Sequence, residues 1–216
     1  MHPDLPAQLT DVFVKHGIKE FRPAQHKALH AGLLEGKNVL VCTPTASGKT
    51  LIAEMAAGKA ILEGKGKAVY IVPLVALASE KAKDFKKKYS GLFKVALSVG
   101  DFDSSDPHLM DYDLIICTAE KLDSLIRHHA PWLQLVKVVI IDEIHLLNDV
   151  SRGPTLEILI TLLKKMLPDV QLLALSATIG NPEELAKWLD AHLVQDDWRP
   201  VPLHKGVLLQ DTIEFE

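Results

Sequence analysis

The chain is poor in several things, and each shortage excludes something. Cysteine occurs twice, as Cys42 and Cys117, each ending an apolar strand; this reads as two buried thiols in a reducing compartment, not a disulfide or a metal site. No apolar run is long enough to span a bilayer. Met1-His2-Pro3-Asp4 has neither the basic nor the apolar part of a signal peptide, so a soluble, cytoplasmic protein with no membrane partner is expected. A basic excess is also missing. Lys and Arg total 24 against 28 Asp and Glu, a net charge of −4, which argues against a protein that coats nucleic acid. It argues less against one that grips a strand at a few backbone positions. Linkers rich in Pro or Ser, low-complexity tracts and internal repeats are absent. What remains, 48% hydrophobic and 24% charged in 216 residues, suffices for one large α/β domain or two small ones.

After a short helix over roughly Leu5 to Lys15, strands and helices alternate. The strands expected are 38–42, 68–73, 95–99, 113–118, 137–142 and 171–177. Runs such as Ala68-Val69-Tyr70-Ile71-Val72 and Val138-Val139-Ile140-Ile141 are apolar on both faces, as in a parallel sheet covered by helices on each side. Helices are expected at 24–35, 49–63, 76–89, 119–129, 154–167 and 182–191, with Pro23 and Asn181-Pro182 as start signals. The fold class is α/β: a doubly wound, mainly parallel sheet of the P-loop kind over residues 1–200, followed by an extended segment at 201–216. The run Lys81, Lys83, Lys86, Lys87 and Lys88 reads as one solvated helix face, with Asp84 four residues before Lys88. His26 and His30 stand four apart, but Lys27 replaces the Glu that a zinc hydrolase needs, so they too read as a solvated face. His128-His129 ends a helix, where a cation complements the dipole.

Three stretches carry chemistry. Thr43-Pro44-Thr45-Ala46-Ser47-Gly48-Lys49-Thr50 lies between the strand Asn38-Val39-Leu40-Val41-Cys42 and a helix, the arrangement of a phosphate-cradling loop. Backbone N–H groups and the helix dipole favour an anion there, Lys49 neutralises phosphate oxygens, and the Thr50 hydroxyl suits Mg²⁺. Thr43 stands where the general pattern has its first glycine. Next, Val138-Val139-Ile140-Ile141 ends in Asp142-Glu143, where a P-loop hydrolase places a water-mediated Mg²⁺ ligand, Asp142, and a residue that polarises the attacking water, Glu143. Last, Ser176-Ala177-Thr178 follows Leu172-Leu173-Ala174-Leu175, and its hydroxyls are expected to bond the Asp142-Glu143-Ile144-His145 segment and report nucleotide state.

In this order the three stretches resemble motifs I, II and III of superfamily 2 helicases. Val72-Pro73-Leu74-Val75-Ala76-Leu77-Ala78-Ser79-Glu80-Lys81 resembles motif Ia, and Thr118-Ala119-Glu120-Lys121-Leu122-Asp123-Ser124-Leu125 resembles motif Ib. Gly100-Asp101-Phe102-Asp103, Arg152-Gly153-Pro154-Thr155-Leu156-Glu157, Ile179-Gly180-Asn181-Pro182 and Asp197-Trp198-Arg199-Pro200-Val201-Pro202-Leu203 are further marks. Together they are similar to archaeal Hjm-type DNA repair helicases, kin of the helicase half of DNA polymerase theta.

The resemblance implies a RecA-like lobe that binds ATP and Mg²⁺. Lys49, Asp142 and Glu143 would be catalytic, Thr50 and Asp142 would face the metal, and His145, Ser176 and Thr178 would couple nucleotide to strand. Phe21-Arg22-Pro23-Ala24-Gln25 looks like a Q-type motif, with Gln25 reading the adenine edge. Pro73, Leu74, Thr118, Glu120 and Lys121 would touch the backbone of one strand, although Val75 stands where the family often has Arg. Arg152 would be a strand or interlobe contact, or a plain surface arginine. The family motor needs a second RecA-like lobe bearing an arginine finger. The four arginines here, Arg22, Arg127, Arg152 and Arg199, include none in such a segment, so a single first lobe is expected, with the second lobe and single-stranded or forked DNA as partners. The resemblance implies a 3′ to 5′ DNA helicase in repair or fork processing. An RNA-unwinding relative, and a binding module without turnover, stay open.

Overall fold

A computed structural model describes residues 2–100, 105–202, 206–209 and 212–215; Asp101, Phe102, Asp103 and Leu203, among the family marks, lie outside them. Seven strands form one sheet: β1 (Val39–Cys42), β2 (Lys67–Val72), β3 (Val95–Ser98), β4 (Leu114–Thr118), β5 (Val136–Ile141), β6 (Gln171–Ser176) and β7 (His192–Gln195). Their order is β3-β4-β2-β5-β6-β1-β7, and every neighbouring pair is parallel. Among the described residues, seven α-helices flank them: α1 (Ala7–Lys15), α2 (Pro23–His30), α3 (Lys49–Leu62), α4 (Val75–Lys88), α5 (Ala119–Arg127), α6 (Gly153–Met166) and α7 (Pro182–Leu189). The expected doubly wound α/β fold is therefore present.

Alternation within the apolar strands divides the core in two. Val39, Val41, Ala68, Tyr70, Val138, Ile140, Leu173 and Leu175 pack with α1 to α4, through residues such as Phe13, Ile52, Met55 and Phe85. Their sequence neighbours Leu40, Val69, Ile71, Val139, Ile141 and Leu172 pack with α5 to α7, through Leu125, Leu159, Ile160 and Leu189. Each strand must satisfy two helical layers, which is why its residues read as an unbroken apolar run. Cys42 and Cys117 are buried free thiols, as expected.

Three details differ from the expectation. The helix read as 24–35 stops at His30, because Gly32 adopts φ 88° and a short 3₁₀ turn at Leu33–Glu35 follows. Strand β7 was not foreseen; only Val194 of its four residues is buried, so an edge strand leaves little apolar signal. The solvated lysine face also divides. Lys83, Lys86 and Lys87 are exposed, but Lys88 pairs with buried Glu54 of α3 and not with Asp84, while Lys81 turns toward Asp142. Past residue 200, β8 (Gly206–Leu209) and β9 (Thr212–Phe215) form an antiparallel two-stranded sheet of their own. No helix among the described residues is long and apolar enough to cross a membrane.

Candidate functional site

A parallel sheet brings the carboxyl ends of all its strands to one edge, where open α/β sheets bind ligands. Here the order of strands sorts the candidates. Thr43 to Thr50 follow β1, Ser176 ends β6 and Asp142-Glu143 follow β5, so these three stretches lie side by side; Pro73-Leu74 and Thr118 lie beyond, at β2 and β4.

The loop after β1 is built for an anion. Ala46 (φ 66°) and Gly48 (φ 97°) are both left-handed, so the chain curls tightly ahead of α3, whose N-terminus has no side-chain cap and so suits an anion. A left-handed alanine is a strained choice; the Arg22 guanidinium holds it by donating to Ala46 O at 2.7 Å. The buried hydroxyls of Thr43 and Ser47 lie 2.7 Å apart, which gives Thr43 a structural task in place of the missing glycine. Lys49 Nζ donates to Thr43 O (2.9 Å) and Pro44 O (3.1 Å), leaving its third N–H for a ligand. Burial pushes the Lys49 ammonium down from the usual lysine range, against the pull of Glu143 and Asp142. Pro44 is buried, whereas Thr45 is exposed at the lip of the loop.

Gln25 is only 2% exposed. Its Oε1 accepts from Arg22 N–H (2.8 Å) and its Nε2 donates to Gly48 O (3.0 Å). One N–H and one lone pair of the amide remain for an outside partner. A Cβ on Gly48 would come within 2.5 Å of Gln25 Nε2, so a side chain there would displace the Gln25 amide, and the positive φ itself favours glycine.

The acid pair is held from several sides. Tyr70 OH donates to Asp142 Oδ2 (3.0 Å), Lys81 Nζ donates to Tyr70 OH (3.2 Å) and lies 3.5 Å from the same carboxylate, and Glu143 N–H donates to Asp142 Oδ1 (3.1 Å). Thr50 at the start of α3 and Asp142 just past β5 are the two residues expected to face the metal. Burial, reinforced by Asp142, raises the Tyr70 pKa well above the tyrosine range and keeps it a neutral donor. Hydroxyl and carboxylate are hard oxygen donors, and this pair fits Mg²⁺. Glu143, with φ 53°, turns the chain into a 3₁₀ turn at Ile144–Asn148, and its Oε2 lies 3.3 Å from His145 Nδ1 without hydrogen-bond geometry.

Several expected roles need correction. The Ser176 hydroxyl is fully buried and makes no hydrogen bond to the Asp142–His145 segment. Its carbonyl joins a different segment, the loop after β1, by accepting from Thr43 N–H at 3.2 Å; Thr178 is exposed. Lys121 does not reach a solvent-borne strand, because it is 1% exposed and paired with Asp106 at 3.0 Å. The Thr118 hydroxyl is likewise occupied, accepting from Lys121 N–H as the cap of α5. Leu74 and Glu120 are exposed, and Pro73 and Arg152 partly so. Pro73, Glu120, Arg152, Asp142 and Glu143 line one small cavity, which joins the two groups of candidates. Sequence reasoning missed Tyr70 and Lys81. A tyrosine inside a doubly buried strand was the available signal, since its hydroxyl must find a partner there.

Comparison with known proteins agrees with this geometry. The chain is 54% identical over 209 residues to the ATP-dependent DNA helicase Hel308 of Pyrococcus abyssi, covering 97% of this chain and 29% of the relative. It is 55% identical over 216 residues to that of Methanocaldococcus jannaschii, covering 96% and 18%. The chain thus spans less than a third of the curated relatives it matches. Among solved structures, the DUF1998 helicase MrfA bound to DNA and AMPPNP superposes with a TM-score of 0.80 at 27% identity, over 91% of this chain and 30% of that one. The Mycobacterium smegmatis helicase Lhr bound to ssDNA and AMP-PNP gives 0.77 at 28% identity, over 90% and 28%. Both confirm the RecA-like helicase fold. The sequence profile described as DEAD/DEAH box helicase matches residues 22–185, well over half of the chain; the chain belongs to the DEAD/DEAH box helicase family.

Proposed function

We propose that this chain is the first, ATP-binding motor lobe of an ATP-dependent DNA helicase that moves 3′ to 5′ and acts in DNA repair or fork processing. The observation that carries the reading is the strand order β5-β6-β1, which sets the acid pair, Ser176 and the phosphate loop side by side. In the loop at 43–50, the N–H groups past Pro44 and the Lys49 ammonium hold the triphosphate of ATP, and Gln25 meets the adenine edge with its remaining donor and acceptor. Mg²⁺, when bound, neutralises charge between the phosphates, and Thr50 and Asp142 would hold it. Glu143 orients the attacking water and takes its proton.

Strand contact falls to Pro73, Leu74, Glu120 and Arg152, with Thr118 and Lys121 shaping that surface from beneath. Contacts of this kind follow the sugar-phosphate backbone and do not read bases. Residues 201–216 lead toward a second RecA-like lobe, which supplies the arginine that completes the γ-phosphate site. Single-stranded or forked DNA and that lobe are the partners proposed, and His145 and Ser176 couple them to the nucleotide.

Calorimetry tests the core of the reading. Lys49→Ala removes charge-assisted bonds of about 1.5–3 kcal/mol each, so Mg²⁺-ATP affinity should fall at least tenfold. Unchanged affinity would remove residues 43–50 from the site. In the longer polypeptide, turnover stimulated by single-stranded DNA but not by RNA separates the DNA motor from an RNA-unwinding relative.

A further inference from the structure

Beyond Gly48, the phosphate loop opens on a cleft of about 590 Å³ whose walls include Phe21, Arg22, Gln25, Gly48 and Trp198. A nucleotide whose phosphates sit on residues 43–50 has its base on this side, because Gly48 belongs to both the loop and the cleft and Gln25, which lines the cleft from α2, donates to Gly48 O. The far wall comes from the other end of the chain, just past β7. Trp198 there is 39% exposed, so part of its indole is open to a ligand.

Its placement is deliberate in structural terms. Asp196, whose side chain is only 8% exposed, takes the Lys27 ammonium of α2 at 2.8 Å and the Trp198 N–H at 2.8 Å. Lys27 also donates to Gln195 O at 2.8 Å. The segment 195–198 is thereby pinned across the start of α2. The Arg22 guanidinium lies 5.3 Å from the indole centroid while its Nη1 bonds Ala46 O, so one arginine ties the indole to the phosphate loop. Lys27, Asp196 and Arg22 all spend their charges on holding this ring beside the cleft.

We propose that Trp198 is the stacking wall of the nucleotide site, against which the purine base of the bound nucleotide packs while Gln25 meets its edge. This rests on the reading of residues 43–50 as the phosphate site. An indole face suits any flat base and favours the larger purines, so Trp198 adds affinity for the base and none for the phosphates.

The test uses the 216-residue chain with two ligands, ATP and inorganic tripolyphosphate, the second having phosphates but no base. Base stacking on an aromatic side chain is large enough that Trp198→Ala should weaken ATP about tenfold, with tripolyphosphate affinity unchanged. Trp198→Phe should retain most of the ATP affinity. ATP, but not tripolyphosphate, should quench tryptophan fluorescence in the wild type and in Trp188→Phe, and the quench should vanish in Trp198→Phe. Equal ATP affinity in Trp198→Ala, equal losses for both ligands, or a quench that survives Trp198→Phe would each overturn the proposal. Lys49→Ala separates the two failures. If it abolishes binding of both ligands while Trp198→Ala changes nothing, the phosphate site stands and only the stacking wall falls. If Lys49→Ala leaves both affinities intact, the phosphate site falls and the proposal with it.

Discussion

Replacing Tyr70 by Phe tests the physical account of the acid pair most directly. The change leaves the ring in its fully buried position and removes only the hydroxyl. That hydroxyl bonds two charged partners, donating to Asp142 and accepting from Lys81. Hydrogen bonds to charged groups contribute about 1.5–3 kcal/mol. Asp142 keeps the Glu143 N–H and the Lys81 ammonium at 3.5 Å, so the lower end applies and a loss of about 1.5–2 kcal/mol is expected. In a domain of this size each kcal/mol moves the melting temperature by roughly 2–4 °C, so the midpoint should fall by about 3–8 °C. Urea unfolding gives the free energy and scanning calorimetry the midpoint. A cycle with Lys81→Met should be non-additive by at least about 0.5 kcal/mol, because both changes act on one carboxylate. If Tyr70→Phe is as stable as the wild type, or the two changes add, the phenol does not anchor Asp142 and the network is only a crowded contact.

Further outcomes can be checked with single variants. Glu143→Gln in the longer polypeptide should keep ATP affinity and lose turnover by a factor of roughly 10² or more; wild-type turnover would remove Glu143 from the chemistry. Gly48→Ala should destabilise the chain by more than about 1 kcal/mol and weaken ATP, because it forces a Cβ into a left-handed residue against Gln25; an unaffected denaturation midpoint would contradict this. Burial pushes the Cys42 thiol up to about 11 and Cys117 up to about 12. Both thiols therefore stay protonated at pH 8, and alkylation of the native protein should be slow and should accelerate only as pH approaches those values or the chain unfolds. Fast labelling of either thiol at pH 8 would refute their burial.

Much of this architecture was legible in the residues because parallel strands announce themselves. β1 to β6 differ from their expected ranges by a residue or so at each end, since unbroken apolar runs have few other uses in a chain of this composition. Small elements were harder. β7 buries one side chain in four, and α2 ends at a glycine that a helical pattern can absorb. In the site, residues that act through local geometry were foreseeable: a glycine before Lys49, or an acid pair at the end of a strand. Residues that act through distance were not. Lys81 reads as one of five lysines on a wet helix, and only packing brings it to Asp142. Lys121 reads as a surface cation until α5 settles on the sheet and Asp106 closes over it. Trp198 shows how far this goes, because its partner Arg22 sits at the opposite end of the chain.

The position of β1 in the sheet bears on how the lobe is made. β1 is the first strand of this sheet to leave the ribosome, yet both its neighbours, β6 and β7, are the last two strands of the sheet, with Val39 opposite Leu173 on one side and His192 on the other. The nascent chain must therefore carry four consecutive buried residues, Val39 to Cys42, with both hydrogen-bonding edges open until β6 emerges. At about 5–20 residues per second that wait is on the order of ten seconds. Such an orphan strand is an aggregation hazard, and long-range parallel pairing is slow. β2, β3, β4 and β5 have all their mutual partners by the time β5 emerges, so that half of the sheet is free to pair first. The half that holds residues 43–50 can close only after β6 and β7 emerge, so the proposed nucleotide site waits until synthesis of the sheet is nearly complete.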